Sequence, residues 1–140
     1  MKSDCIFCKI VKGEIDSKKI YENENILAIL DIDPINEGHI LIIPKEHILD
    51  IDNMPISVLN EISLLSKKIV KIIKEVYNPC GYSMMQNGGS FDEIGHYHQH
   101  IFPRYNDDGF GWTSSKKEFN VSIELSNRIK EKLESIESGL

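Results

Sequence analysis

The chain holds only three cysteines and five histidines in 140 residues, and no apolar run approaches the roughly 20 residues a membrane-spanning helix needs. Three is an odd set. Cys5, Cys8 and Cys80 do not make a disulfide framework, and a reducing compartment keeps thiols available for metals. The opening "MKSDCIFCKI" lacks the apolar core of a secretory signal, so, with no membrane-length run, the expected location is the cytoplasm. Basic clusters are missing too, beyond isolated Lys-Lys pairs. With a formal net charge of -6, this argues against a protein that neutralises nucleic-acid phosphates and favours small-molecule chemistry. There is no internal repeat, low-complexity block or Gly/Ser linker, so one domain spanning 1–140 is expected.

Short turn signals divide what is present. "SDCIFCKIVKGE" reads as a short helix with Ser3 or Asp4 as its cap and Gly13 as its stop. "KKIYE", "ILAILDI" and "HILIIP" read as strands separated by the turns "NENEN" and "DPINEG". From Ser57 to about Tyr77, Val58, Ile62, Leu65, Ile69, Ile72 and Val76 alternate in steps of four and three, the pattern of one apolar helical face. "GYSMMQ" and "HYHQHIFPR" read as strands around the loop "NGGSFDEIG", and "VSIELSNRIKEKLESI" as a terminal helix. The fold class is therefore α+β, a mainly antiparallel sheet of about five strands packed by one long helix.

Three of the five histidines stand in "HYHQHIFPR". Residues two apart on a strand point the same way, so the pattern puts His96, His98 and His100 on one face, with Tyr97, Gln99 and Ile101 on the other. Neutral imidazole is a nucleophile, a proton carrier and a metal ligand, so the row suits metal binding or group transfer; surface histidine on an edge strand is the plainer alternative. Cys5-x-x-Cys8 has the spacing of half a zinc site, with His47 and His96 free to complete it; a redox pair and buried apolar cysteines also stand open.

Taken together, "DCIFCKI", "LAILDIDPINEGHILIIPKEH" and "HYHQHIFPR" resemble the histidine triad (HIT) proteins, nucleotide-binding hydrolases and transferases. The resemblance covers Asp4 to Arg104, leaving 105–140 as a C-terminal extension. It implies that His98 is the nucleophile, attacking the α-phosphorus of a purine nucleoside phosphoramidate or dinucleoside polyphosphate, and that His100 steadies the phosphate oxygens. It implies one structural zinc per chain held by Cys5, Cys8, His47 and His96. Asp31 matches the ribose ligand, and Asn87 the asparagine that holds phosphate or leaving group. Ile6, Phe7, Ile10, Ile29, Leu30 and Ile32 fall around the nucleobase, with His39 as a supporting group. For each apolar residue, ordinary core packing is the alternative. Homodimers are usual in the family.

Three departures from that pattern stand out. The loop before the triad is about two residues shorter than in the well-known branch, and Asp92 and Glu93 occupy positions that usually donate hydrogen bonds. Ionised carboxylates only accept and repel phosphate, so they turn outward or select a cationic leaving group. Gln99 replaces an apolar residue on the opposite face. The transferase branches carry glutamine at the third triad position, where this chain has His100, which favours hydrolysis. A nucleotidyltransferase or phosphorylase, and a nucleotide-binding regulatory module with incidental turnover, are the competing functions. Phe110 and Trp112 in the extension either close over a base or dock the terminal helix.

Overall fold

The computed structural model describes residues 2–136. Its strands are β1 (Lys19–Glu22), β2 (Ile26–Leu30), β3 (Ile40–Pro44), β4 (Gly81–Met85) and β5 (Gln99–Arg104), and its helices are α1 (Ile6–Val11), α2 (Ile56–Tyr77) and α3 (Ile123–Ser135). The strands form one sheet in the order β1-β2-β3-β5-β4, every pair antiparallel. This is the expected α+β architecture. None of the described helices is long and apolar enough to cross a membrane. The chain divides into two compact units, one ending at Phe110 and the other beginning at Gly111.

β2 and β3 are apolar at almost every position because both of their faces are covered. Ile26, Ala28, Ile40 and Ile42 pack with Val58, Ile62, Ile69 and Ile73 of α2, while Leu27, Ile29, Leu41 and Ile43 pack with Phe7, Cys8 and Ile10 of α1. Complete burial of a Leu or Ile side chain stabilises by about 1.5–3 kcal/mol, so these two strands anchor the sheet.

The apolar stripe of α2 departs from its expected course. Val58, Ile62 and Ile69 are buried as the spacing predicts, but Ser66 and Ile73 complete the buried line while Ile72 and Val76 are exposed. A strict four-three alternation repeats every 3.5 residues, whereas a straight helix turns every 3.6. The pattern therefore slips by about 20° per heptad and rotates off the sheet towards the C-terminal end. Asn78, in the left-handed region at φ 43°, ends the helix.

Two boundaries near the site also differ from the sequence reading. Cys5, not Ser3 or Asp4, caps α1, its Sγ accepting the Cys8 N–H at 3.4 Å. β5 begins at Gln99, so His96 and His98 precede the strand. The ladder stops there because β3 offers its last partner at Gln99 and β4 at His100; Tyr97 N–H turns instead to the Ile48 carbonyl at 2.7 Å. The alternation of side chains continues regardless. Tyr97 and Ile101 lie in the α2 core and Gln99 donates to Ser66 Oγ on α2 at 2.6 Å, while His96 and His98 meet the ring of Phe7 on α1.

Two features hold the turn before β3. Gly38 adopts φ +87°, and a Cβ there would overlap the phenol edge of Tyr77 at the end of α2. Asn36 donates to the Pro103 carbonyl at 2.8 Å and to Asp108 at 3.0 Å, and Asp108 also pairs with Arg104 at 2.6 Å. His39 enters β3 from this doubly tied turn. Phe110 packs edge-on against Phe102 and under the Arg104 guanidinium. In the second unit, α3 is capped by Ser122, whose Oγ accepts the Leu125 N–H at 3.1 Å.

Candidate active site and metal centre

Cys5 and Cys8 project from the first turn of α1 towards the segment that follows β3 and the segment that precedes β5. There Cys5 Sγ lies 3.4 Å from His96 Nδ1, and Cys8 Sγ lies 3.3 Å from His47 Nδ1 and 3.6 Å from His96 Nδ1. All four donor atoms fall within 4.8 Å of one another. A tetrahedral zinc with Zn–S of about 2.3 Å and Zn–N of about 2.0–2.1 Å separates sulfur from nitrogen by about 3.6 Å, so the donor set has the size the ion needs. The cysteines are free thiols, both buried.

His96 is prepared as a ligand by its surroundings. Its Nε2–H donates to the Pro44 carbonyl at 2.8 Å, which leaves the Nδ1 lone pair towards the sulfurs. Burial holds its pKa below the ordinary histidine value, so the ring stays neutral, the form that binds metal. Burial likewise pushes the Cys5 thiol up, a shift that a bound cation reverses. A closed Cys2His2 set has no open coordination position, so zinc here would be a staple joining α1 to the end of β3 and the approach to β5, which meet at one end of the sheet.

His98 carries the opposite tautomer. Its Nδ1–H donates to the His96 carbonyl at 2.8 Å, so the unprotonated nitrogen is Nε2. The side chain is 9% exposed, its ring packed edge-on to Phe7 and His100. That small exposed part belongs to the wall of a cavity of about 510 Å³.

The tautomer of His100 follows from a longer chain. The Ile35 N–H donates to His39 Nδ1 at 3.0 Å, so His39 carries its proton on Nε2 and donates it to His100 Nδ1 at 2.8 Å. His100 is thereby left with its proton on Nε2, as a donor. Burial, then repulsion by His98 and His39, lowers the His100 pKa to about 4, and burial also lowers that of the 2% exposed His39. Asp31, just after β2, places Oδ2 3.5 Å from His39 Nε2 and 3.9 Å from His100 Nδ1, while Oδ1 accepts the Asp33 N–H.

All of the residues singled out in the sequence for substrate contact line the one cavity. Phe7, Ile10 and Ile29 are buried in its floor; Ile6, Leu30 and Ile32 are exposed at its rim; Asp31, Asn87 and His39 share it with His98 and His100. The sequence reading missed Ile15, Ser17, Met85 and Phe91, which also line it. Met85 was accessible as the last residue of a strand ending at the site, whereas Ile15 and Ser17 lie between elements with no periodic signal. The pre-triad acids part company. Asp92 turns into the protein and accepts backbone N–H groups, and Glu93 lines the cavity.

Comparison with known proteins accords with this geometry. The family model of the HIT domain matches residues 12–107. Adenosine 5'-monophosphoramidase HNT1 of Candida albicans is 36% identical over 145 residues, covering 97% of this chain and 95% of its own. The crystal structure of a member of the HIT family from Bacillus subtilis superposes with a TM-score of 0.85 at 35% identity, covering 97% of this chain and 99% of its own. A zinc-bound histidine triad family protein from Mycobacterium smegmatis superposes with a TM-score of 0.70 at 33% identity, over 81% of this chain and 84% of its own. On sequence and structure alike, the chain belongs to the HIT domain family.

Proposed function

We propose that this protein is a nucleotide hydrolase acting at the α-phosphate of a purine nucleoside phosphoramidate through a covalent nucleotidyl-histidine at His98. The observation that carries the proposal is the His98 tautomer: with Nδ1–H bound to the His96 carbonyl, Nε2 keeps its lone pair in a ring that lines the cavity. That pair forms the bond to phosphorus while the bond to the leaving amine breaks and its electrons depart with nitrogen, which takes up a proton from solvent. In the second half water adds to phosphorus, its proton returns to solvent, and the P–Nε2 bond returns its electrons to the ring. His100, a neutral donor through Nε2–H, hydrogen-bonds the phosphate oxygens as charge builds on them. Asp31 accepts the ribose 2′ and 3′ hydroxyls, Asn87 holds the phosphate or leaving group, and Phe7, Ile10 and Ile29 bed the base between Ile6, Leu30 and Ile32.

The cavity lining favours a phosphoramidate over a dinucleoside polyphosphate. Asp16, Asp31, Asp33 and Glu93 line it, and among the described residues no lysine or arginine does. Four carboxylates repel a polyphosphate chain and attract a leaving amine that carries positive charge. The monophosphoramidase name of the Candida relative supports the same choice.

Cys5, Cys8, His47 and His96 would hold the zinc, which supplies rigidity rather than a reacting centre. The free cysteines support a reducing, cytoplasmic setting. A homodimer formed through β4 and α2 fits the exposed Tyr82 and Met84 on the edge strand and Ile72 on the helix.

The test compares turnover of an adenosine phosphoramidate by wild type and His98→Ala. A loss of about a thousandfold or more is expected, as for deletion of other enzymatic nucleophiles. Equal, slow turnover by both proteins would instead identify a nucleotide-binding regulatory module.

A further inference from the structure

Asp92 sits where the short helical turn Gly89–Phe91 ends, and its side chain is 3% exposed. Its Oδ1 accepts the N–H groups of Ile94 and Gly95, both at 3.0 Å, and its Oδ2 accepts that of His96 at 3.1 Å. Gly95, at φ +71°, supplies the left-handed residue this tight return requires. Asp92 does not line the cavity, so its charge is directed at the chain and not at a bound phosphate.

The consequence falls on the backbone of one residue, His96, and then on His98. The N–H of His96 is held by Asp92 and its carbonyl by the Nδ1–H of His98, so the residue whose carbonyl selects the His98 tautomer is itself anchored at its N–H by the carboxylate. Asp92 Oδ1 also lies 3.7 Å from that same Nδ1. When Nε2 bonds phosphorus and the leaving group departs with its electrons, Nδ1 keeps its proton and the ring becomes cationic. A buried carboxylate beside Nδ1 favours that state over the neutral ring.

We propose that Asp92 is a positioning residue for His98: it aims the ring by anchoring the backbone of His96 and stabilises the positive charge the ring acquires on bonding phosphorus. The proposal rests on His98 being the nucleophile. It answers the question the short acidic loop raises in the sequence, since Asp92 works from behind the nucleophile and leaves only Glu93 towards the substrate.

The test uses two variants of the full chain. Asp92→Asn removes the charge at nearly constant size, and Asp92→Ser keeps a hydroxyl that accepts backbone N–H groups in such turns. With an adenosine phosphoramidate, kcat is expected to fall roughly tenfold to a hundredfold in the variants while KM stays within about twofold and zinc content per chain stays at the wild-type value. Unchanged kcat in a folded variant overturns the proposal. A raised KM at constant kcat, or a loss of rate that tracks a loss of zinc, overturns it as well, because either assigns Asp92 to substrate or to the fold. His98→Ala, measured in parallel, separates the two readings. If it is inactive while the Asp92 variants match wild type, only the role of Asp92 falls; if it turns over normally, the nucleophile and its positioning residue fall together.

Discussion

Nε2 of His39 lies 2.8 Å from Nδ1 of His100, and the direction of that hydrogen bond is set at the other end of the His39 ring, where the Ile35 N–H occupies Nδ1. A turn that precedes β3 thus decides which nitrogen of His100 carries a proton. Both rings are held neutral by burial, so this arrangement lasts across neutral pH.

The same burial makes stability depend on pH. His100 titrates near its ordinary 6.5 in the unfolded chain and at about 4 in the fold, so between those values the unfolded state binds more protons. The stabilisation from keeping it neutral is complete above pH 6.5 and is lost as pH falls towards 4, by up to about 3 kcal/mol. Urea unfolding measured through this window is expected to show a shallower slope with pH in His100→Gln than in wild type. Identical slopes would contradict the His100 shift.

Gly38 links this chemistry to the fold. Because its φ is +87° and a Cβ would overlap the phenol edge of Tyr77, Gly38→Ala is expected to destabilise by about 1–3 kcal/mol in denaturant titration. His39 is the next residue, so kcat should fall in the same variant.

Zinc removal should loosen the end of the sheet where β3 finishes and β5 begins. One zinc per chain is expected by elemental analysis, with a Tm lowered by chelation and a site abolished by Cys8→Ser, whose thiolate would meet both histidines. Metal content far below one per chain in freshly purified protein would contradict the site.

Asp31 is expected to act on the sugar. Asp31→Ala should weaken binding of ribonucleotides by about tenfold to a hundredfold and barely alter binding of 2′,3′-dideoxy analogues, since a lost charged hydrogen bond is worth about 1.5–3 kcal/mol. Equal loss for both, measured by calorimetry, would remove the ribose role.

Much of this was legible in the sequence, for identifiable reasons. β2 and β3 announce themselves as apolar runs because both faces are buried, and alternation in "HYHQHIFPR" separates the histidine side from the α2 side even where no ladder forms. The CxxC spacing with few free histidines made His47 a candidate ligand, but only the family resemblance singled it out, because nothing local marks a histidine after a strand as a ligand. Three features lay beyond reach. The Cys5 cap depends on sulfur replacing the usual oxygen, the burial of Ser66 goes with its bond to Gln99 on the facing strand, and the inward turn of Asp92 depends on three N–H groups that converge only once the loop has closed.

The most direct measurement is mass spectrometry of the protein quenched during turnover of an adenosine phosphoramidate. The expected result is one nucleotidyl group on the peptide bearing His98, accumulating more slowly in Asp92→Asn and missing from His98→Ala. Turnover at the wild-type rate with no adduct, or with the adduct on His96 or His100, would contradict the assignment of His98 as the nucleophile.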